Sequence, residues 1–570
     1  MQSVHRFRLH AVFCAFAVLV CELISRPFAN MGICDDGPYI LIAQKLAATG
    51  HIVYNGWETA MLGWQLYLAA AFIKLFGFSF TTVRISTLLV AMALAFVLQR
   101  TMVRLNISER NATFATLTLV LSPLYLMLSV TFMSDITGLF AVTVCLYGCL
   151  RAVQSFTSRE TIGWLCFAVC TNALFGTARQ IAWLGVLVIV PSTLWLLRKQ
   201  RERRVLVAGA FVTFAGALFI FGCMHWFKQQ PYTLPEHIIP KTFPISHTLS
   251  ELCNTYLGIP FLILPMFALF IPEIRKSAPR VIAALFLGYL FIAVHPRHTH
   301  DVFLLEPTNP DWVSVYGIHI GVALNGARPL FLHKPAQILL TIVSFGGLIG
   351  LIASLIRTRR LPPAKDSFVP VPWKTLKILL VPFTAAYVLL LIPRATDWLF
   401  DRYMLGLLGI AVIFLVSYYQ ERVQPQIPFA SFVLVAIMAV YGIAVTHNMF
   451  AFYRARVVLA AEVRASGVPD TSVDNGWEYN FLVDLQHGNS INDPRIEVPA
   501  HNFIWTPRFP GTCHLWEYDE TTHIDPIYGV SFDPNECYGP APFAPVPYSR
   551  WLASTPGTLY VVRYMKASTP

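Results

Sequence analysis

Charge is what this chain has least of. Only 13% of its 570 residues are charged, against 56% hydrophobic, whereas ordinary globular chains carry about 25% charged residues. The mean hydropathy is +0.57. Apolar windows of roughly 17–25 residues, each long enough to cross a bilayer, recur along most of the length. A soluble globular protein is thereby excluded. Acids are scarcer than bases, 31 against 42, leaving a net charge of +11. That excess does not point to nucleic acid, because the bases fall in short clusters between apolar runs and form no basic face on a soluble domain. Metal-type cysteine spacing is missing too. The eleven cysteines lie mostly inside apolar runs (Cys14, Cys21, Cys145, Cys149, Cys166, Cys170), with no CxxC or CxxH pair, so they act as small hydrophobes. No repeat of fixed period and no low-complexity tract appears. The first apolar run, Ala11 to Phe28, lacks an A-x-A-like cleavage site and exceeds a signal-peptide core in length, so it reads as an uncleaved first helix.

What is present is a polytopic α-helical membrane protein with about 13 transmembrane helices. They are expected at about 11–28, 82–99, 112–130, 136–150, 161–178, 180–197, 205–225, 251–271, 281–295, 336–356, 375–393, 404–419 and 427–446. Counting with the N-terminus inside puts every dense basic cluster, such as Arg198 to Arg204 and Arg357 to Arg360, on one side, as the positive-inside rule requires. The transmembrane unit spans 1–447, with a first outer loop at 29–80 that holds a short helix from Ile40 to Ala48. Its Gly63–Phe76 stretch is apolar but too short to span, so it reads as an interfacial helix. Residues 448–570 are polar, Pro-rich and aromatic, and read as a small extramembrane α+β domain. Its cysteines, Cys513 and Cys537, would stand in an oxidising compartment, where they can close a loop or remain two separate thiols.

The same count places several polar groups on the outer face. Asp35 and Asp36, in D-D-G-P-Y, sit just past the first helix. Carboxylates so near hydrocarbon are costly unless solvated or used. They read either as solvated loop acids or as a pair in which one takes a proton from an acceptor hydroxyl and the other orients it or holds a cation. Asp135 heads the run SDITGLFAVT and serves as a helix N-cap or as a further outer acid. Asp401-Arg402-Tyr403 opens a helix, where an arginine either snorkels or clamps a phosphate. Arg179 at a helix break is another phosphate candidate. In His295-Pro296-Arg297-His298-Thr299-His300-Asp301, Arg297 is a candidate phosphate contact, and His298 and His300 are candidate ligands for a divalent ion.

These residues carry a family resemblance. D-D-G-P-Y followed by A-x-K-L-A-x-T-G, and then L-F-G-x-S-x-x-x-x-R-I-S, resembles the first outer loop of C-type (GT-C) membrane glycosyltransferases. The branch it resembles holds the protein O-mannosyltransferases and the lipid A aminoarabinose transferases. Asp135 in M-S-D-I-T-G-L-F, the element Phe400-Asp401-Arg402-Tyr403-Met404-Leu405 and the tail stretch Gly476-Trp477-Glu478-Tyr479-Asn480 resemble further signatures of that family. Two departures stand out: Asp36 replaces the common Glu, and the usual paired prolines are missing from Thr59 to Trp64.

The resemblance implies a GT-C-like fold and an inverting transfer of a sugar from a polyprenyl-phosphate donor to a glycan, lipid or protein acceptor. With the positional readings above, Asp35, Asp36 and Asp135 are expected as the catalytic acids and Arg402, Arg179, Arg297 and Tyr403 as the donor-phosphate site. The expected setting is a bacterial inner membrane, with the site and tail on the periplasmic face and no obligatory metal. Two rival readings remain: a polymerase or ligase taking a lipid-diphosphate oligosaccharide, and a lipid-linked sugar flippase or transporter. A transporter is expected to carry polar groups at mid-membrane and repeated halves, whereas the acids here lie at helix ends.

Overall fold

A computed structural model of the protein describes residues 2–57, 61, 63–233, 240, 242–294, 313–318, 324–358, 370–396, 399–488, 524, 526–534 and 538–564. Arg297, His298, His300, Cys513 and Cys537 lie outside the described residues.

The N-terminal half is a helix bundle built from α1 (Gln2–Ser25), α2 (Asp36–Thr49), α3 (Gly63–Phe76), α4 (Phe80–Arg104), α5 (Glu109–Val120), α6 (Pro123–Ser129), α7 (Asp135–Gln154) and α8 (Ser158–Phe175). Local chemistry sets several starts. Ser79 Oγ accepts the Thr82 amide at 2.9 Å at the head of α4, and Thr157 Oγ1 accepts the Glu160 amide at 3.2 Å at the head of α8. Each satisfies an amide that the helix itself leaves unpaired. Between α5 and α6 the axis bends by 69°. Pro123 cannot continue the upstream hydrogen bonding, and Ser122 Oγ caps the new helix through the Tyr125 amide at 3.2 Å. Central in this half, α7 packs on α4, α8 and, from later in the chain, α16 (Leu405–Tyr418).

Further helices follow: α9 (Val190–Leu197), α10 (Arg203–Lys228), α11 (Ile245–Leu262), α12 (Leu264–Ala268), α13 (Pro279–Val294), α14 (Lys334–Thr358), α15 (Trp373–Arg394) and α17 (Phe432–Ala465). Among the described residues, nine helices are long and apolar enough to cross a membrane, or eleven if each of two bent pairs is one span. The expected thirteen would also need the shorter apolar helices Leu9–Ser25 and Pro279–Gly288. The molecule is an integral membrane protein, and α3 has the bounds expected for the interfacial helix.

The 34-residue α17 is about 51 Å long at the usual rise, more than a bilayer core needs. It runs straight through the expected boundary at residue 447. The tail is seated on it: the Trp551 ring stacks on His447 at 3.8 Å, and β6 (Val546–Tyr548) packs against the helix. The tail sheet runs β3 (Val473–Asp474), β4 (Tyr528–Ser531), β7 (Gly557–Tyr564), β5 (Tyr538–Pro540), with β6 also paired to β7. Among the described strand pairs of this sheet, only β3–β4 is parallel. A two-residue hairpin, β1 (Val313–Ser314) and β2 (Gly317–Ile318), and the tail helix α18 (Trp477–Gly488) complete the described elements.

Candidate active site

Asp36 is fully buried, with 0% of its surface exposed. Arg84, from the R-I-S of α4, grips it through both oxygens, with Nε to Oδ2 at 2.8 Å and one terminal nitrogen to Oδ1 at 2.9 Å. The backbone amides of Ile33 and Phe132 donate to the same carboxylate at 2.7 and 3.2 Å. Arg84 also donates to the carbonyls of Ala29 and Met31 at 3.0 and 2.6 Å. One bidentate pair thus fastens the first loop to α4 and to the turn before α7. The loop folds tightly on itself: a Cβ at Gly32 would stand 3.0 Å from the Gly37 Cα, so a side chain there would push the two backbone segments apart by a few tenths of an ångström.

Asp35, the next residue back, faces the other way. It keeps 23% of its side-chain surface and accepts a hydrogen bond from Arg402 at 3.0 Å. Arg402 is itself buried between the rings of Phe400 and Tyr403, with its guanidinium carbon 5.0 and 5.5 Å from their centres. Two more guanidiniums reach the same Tyr403 ring, those of Arg179 at 5.2 Å and Arg394 at 5.8 Å. Tyr387 fixes this corner by donating its hydroxyl to the Tyr403 carbonyl at 2.9 Å.

Asp135 opens α7, buried, with Arg179 2.8 Å from its Oδ1. That contact is an ion pair set off the angle of a hydrogen bond, and the same guanidinium hydrogen-bonds Ser134 Oγ at 3.1 Å. Gly138 makes room for the arginine stem, since a Cβ there would meet Arg179 Cδ at 2.7 Å. Asp401, beside Arg402, accepts the Val313 amide at 2.9 Å and so anchors the β1–β2 hairpin.

The structure therefore brings Asp35, Arg402, Tyr403, Arg179 and Asp135 into one continuous cluster at one end of the bundle. Asp36 adjoins it from inside the packed loop. Arg297, His298 and His300 lie outside the described residues. Three contributors were not singled out in the sequence. Arg84 stands in the quoted R-I-S but looked like part of a motif rather than a partner. Arg394 ends an apolar run, where snorkelling is the ordinary expectation. Gln65 is buried and holds the turn before α7 through the Phe132 and Met133 carbonyls at 3.2 and 3.3 Å. An uncharged residue in an apolar helix gave no signal.

The tail reaches this loop. Trp57 packs edge-on against Trp477 and Phe481, with ring centres 5.5 and 3.6 Å apart. Glu478 pairs with the fully buried Arg456 of α17 at 2.9 Å and also accepts the Tyr453 hydroxyl. Thus the stretch Gly476 to Asn480 is a joint between α17, the tail and the first loop.

Residues 64–226 match the family described as dolichyl-phosphate-mannose-protein mannosyltransferase. The match spans under a third of the 570-residue chain and takes in Arg84, Asp135 and Arg179 but neither Asp35 nor Arg402. It agrees with the resemblance drawn from the first loop. Among solved structures, the chain is similar to ArnT from Cupriavidus metallidurans bound to undecaprenyl phosphate, at 14% identity and a TM-score of 0.43, covering 83% of this chain and 84% of that one. It is also similar to the Archaeoglobus fulgidus oligosaccharyltransferase, at 14% identity and a TM-score of 0.42, covering 90% of this chain and 69% of that one. A third likeness is to the S. cerevisiae protein O-mannosyltransferase complex bound to its sugar donor, at 12% identity and a TM-score of 0.32, covering 39% of this chain and 33% of that one. No curated protein matches the chain.

Proposed function

We propose that this protein is a C-type membrane glycosyltransferase that moves a sugar from a polyprenyl-phosphate donor to an acceptor hydroxyl, with inversion at the anomeric carbon. The observation that carries the reading is the contact of Asp35 with Arg402 beside a ring that three guanidiniums share. An accessible carboxylate thus stands next to a ready anion site.

In this scheme the donor phosphate enters among Arg402, Arg179 and Arg394. It competes with Asp35 for Arg402, so donor binding releases the carboxylate that the reaction needs. Asp35 then takes the proton from the acceptor hydroxyl, whose oxygen attacks the anomeric carbon. The bond from that carbon to the phosphate oxygen breaks, and the electron pair leaves with the polyprenyl phosphate. Fixed guanidiniums stabilise the charge that develops on the leaving group. Asp135 orients Arg179, and Asp36 holds the loop through Arg84 rather than exchanging protons. The site and tail lie on the outer, periplasmic face of a bacterial inner membrane, and the acceptor is a glycan, a lipid or a protein. No metal is obligatory: activity should survive EDTA, and restoration only by Mg²⁺, Mn²⁺ or Zn²⁺ would reverse this point.

The test is incubation of purified protein with a radiolabelled lipid-monophosphate sugar. Release of label onto water or an acceptor is expected, and Asp35→Asn should abolish it. A protein that consumes only lipid-diphosphate oligosaccharides, or that moves the labelled lipid across vesicles without cleaving it, is not this enzyme.

A further inference from the structure

At the other end of the bundle from Asp35 and Arg402, where α4 and α7 finish, a second set of arginines gathers. A cavity of about 380 Å³ opens between α4 and α7, lined by Phe96, Val97, Arg100, Arg104, Tyr147 and Arg151. Three guanidiniums thus share one cavity, and no carboxylate lines it. Arg100 meets Glu109 at 3.3 Å, and Arg151 lies over the Trp164 ring at 4.6 Å. Arg104 makes no ion pair among the described residues, and its buried Nε has no hydrogen-bond partner among them. A buried guanidinium nitrogen with no partner among the described residues, in a cavity walled by cations, favours an anion beside it.

The approach to the cavity is apolar. Ile85 and Leu89 are exposed on α4, and Ala93, Val97, Arg100 and Arg104 continue that row at helical spacing of three and four. From Ile85 to Arg100 the row rises about 22 Å. Such a face is greasy along its length and cationic at its end, as a phospholipid is greasy along its chains and anionic at its head. Positive-inside counting expects this end to be the inner one, where anionic lipids meet basic pockets between helices.

We propose that this cavity binds the phosphate of an anionic phospholipid, with an acyl chain lying along the exposed face of α4. The site is independent of the transfer site, and its test does not use activity. The full-length protein would be purified, delipidated in a neutral detergent and titrated with phosphatidylglycerol, with retained lipid counted by native mass spectrometry. Wild type should retain at least one phosphatidylglycerol in preference to phosphatidylcholine. Each arginine removed should weaken retention about fivefold, and Arg104→Gln/Arg151→Gln about thirtyfold. A control pair, Lys199→Gln/Arg203→Gln, removes exposed charges from the same end and should retain lipid as wild type does. Equal loss in the control pair would reduce the effect to general surface charge and overturn the site. So would undiminished retention in Arg104→Gln/Arg151→Gln. Inorganic phosphate or glycerol phosphate that displaces the lipid at equal concentration would make this a free-phosphate site and overturn the lipid assignment. Thermal melts of both double variants separate lost binding from lost folding, and both should stay within a few degrees of wild type without lipid.

Discussion

Asp35 and Asp36 are neighbours with the same chemistry, and the molecule treats them in opposite ways. Asp36 is sealed against Arg84, with two backbone amides also donating to its oxygens. Asp35 has an arginine too, yet it stays partly open, and its partner belongs to a cluster of three guanidiniums around one ring. In the first pair every strong acceptor position is occupied and water is excluded, so a substrate has nothing to gain there. In the second, an incoming anion can replace the carboxylate at the guanidinium. Burial and satisfied hydrogen bonding therefore separate a structural ion pair from a usable one more sharply than residue type does.

The largest effect should come from breaking the sealed pair. Asp36→Asn or Arg84→Met leaves a buried charge uncompensated, which costs about 3–5 kcal/mol. Thermal denaturation in detergent should show a marked loss of folded protein for each. Asp36→Leu combined with Arg84→Met should be less damaging than either charge-stranding single change, because no lone charge remains. A double variant as unstable as the sum of the singles would mean that the loop depends on the hydrogen bonds to backbone and not on the pairing.

Next comes the open pair, where the damage should move from stability to rate. Asp35→Asn should cost less stability than either change at the sealed pair, because Asp35 is partly open to water and the amide oxygen can still accept from Arg402. Transfer from a lipid-monophosphate sugar should fall by about a hundredfold or more, the usual contribution of a positioned base. If more than about a tenth of the wild-type turnover remained, the base would be Asp135 or Asp36 instead. Smaller again is Arg402→Lys, which keeps the charge and loses the planar fork. The donor KM should rise about tenfold while dependence on the acceptor holds. Unchanged donor kinetics would return Arg402 to a snorkelling role. Smallest is Arg394→Gln, at the edge of the cluster, with a rise in donor KM of about threefold. A larger effect there than at Arg402 would move the centre of the anion site toward α15.

The sequence by itself determined the membrane class, the bounds of the short apolar helix Gly63–Phe76 and most of the helix positions. It also put Asp35, Asp135, Arg179 and Arg402 at one end of the molecule. Those properties follow from hydropathy over about 20 residues and from where charge can be left beside a bilayer, and both are local. Only the tertiary structure decided which acid faces which arginine. Arg84 lies 48 residues from Asp36, and Arg402 lies 367 from Asp35. No local pattern distinguishes adjacent carboxylates whose partners arrive from such distances. The tail shows the same limit. G-W-E-Y-N was legible as a signature, but its work as a joint depends on α17 continuing past the expected boundary, so that Arg456 can meet Glu478. Hydropathy marks where a helix leaves the hydrocarbon, and it does not mark where the helix ends. Past the expected boundary the helix persists because buried partners hold it, and those partners are visible only once the chain is folded.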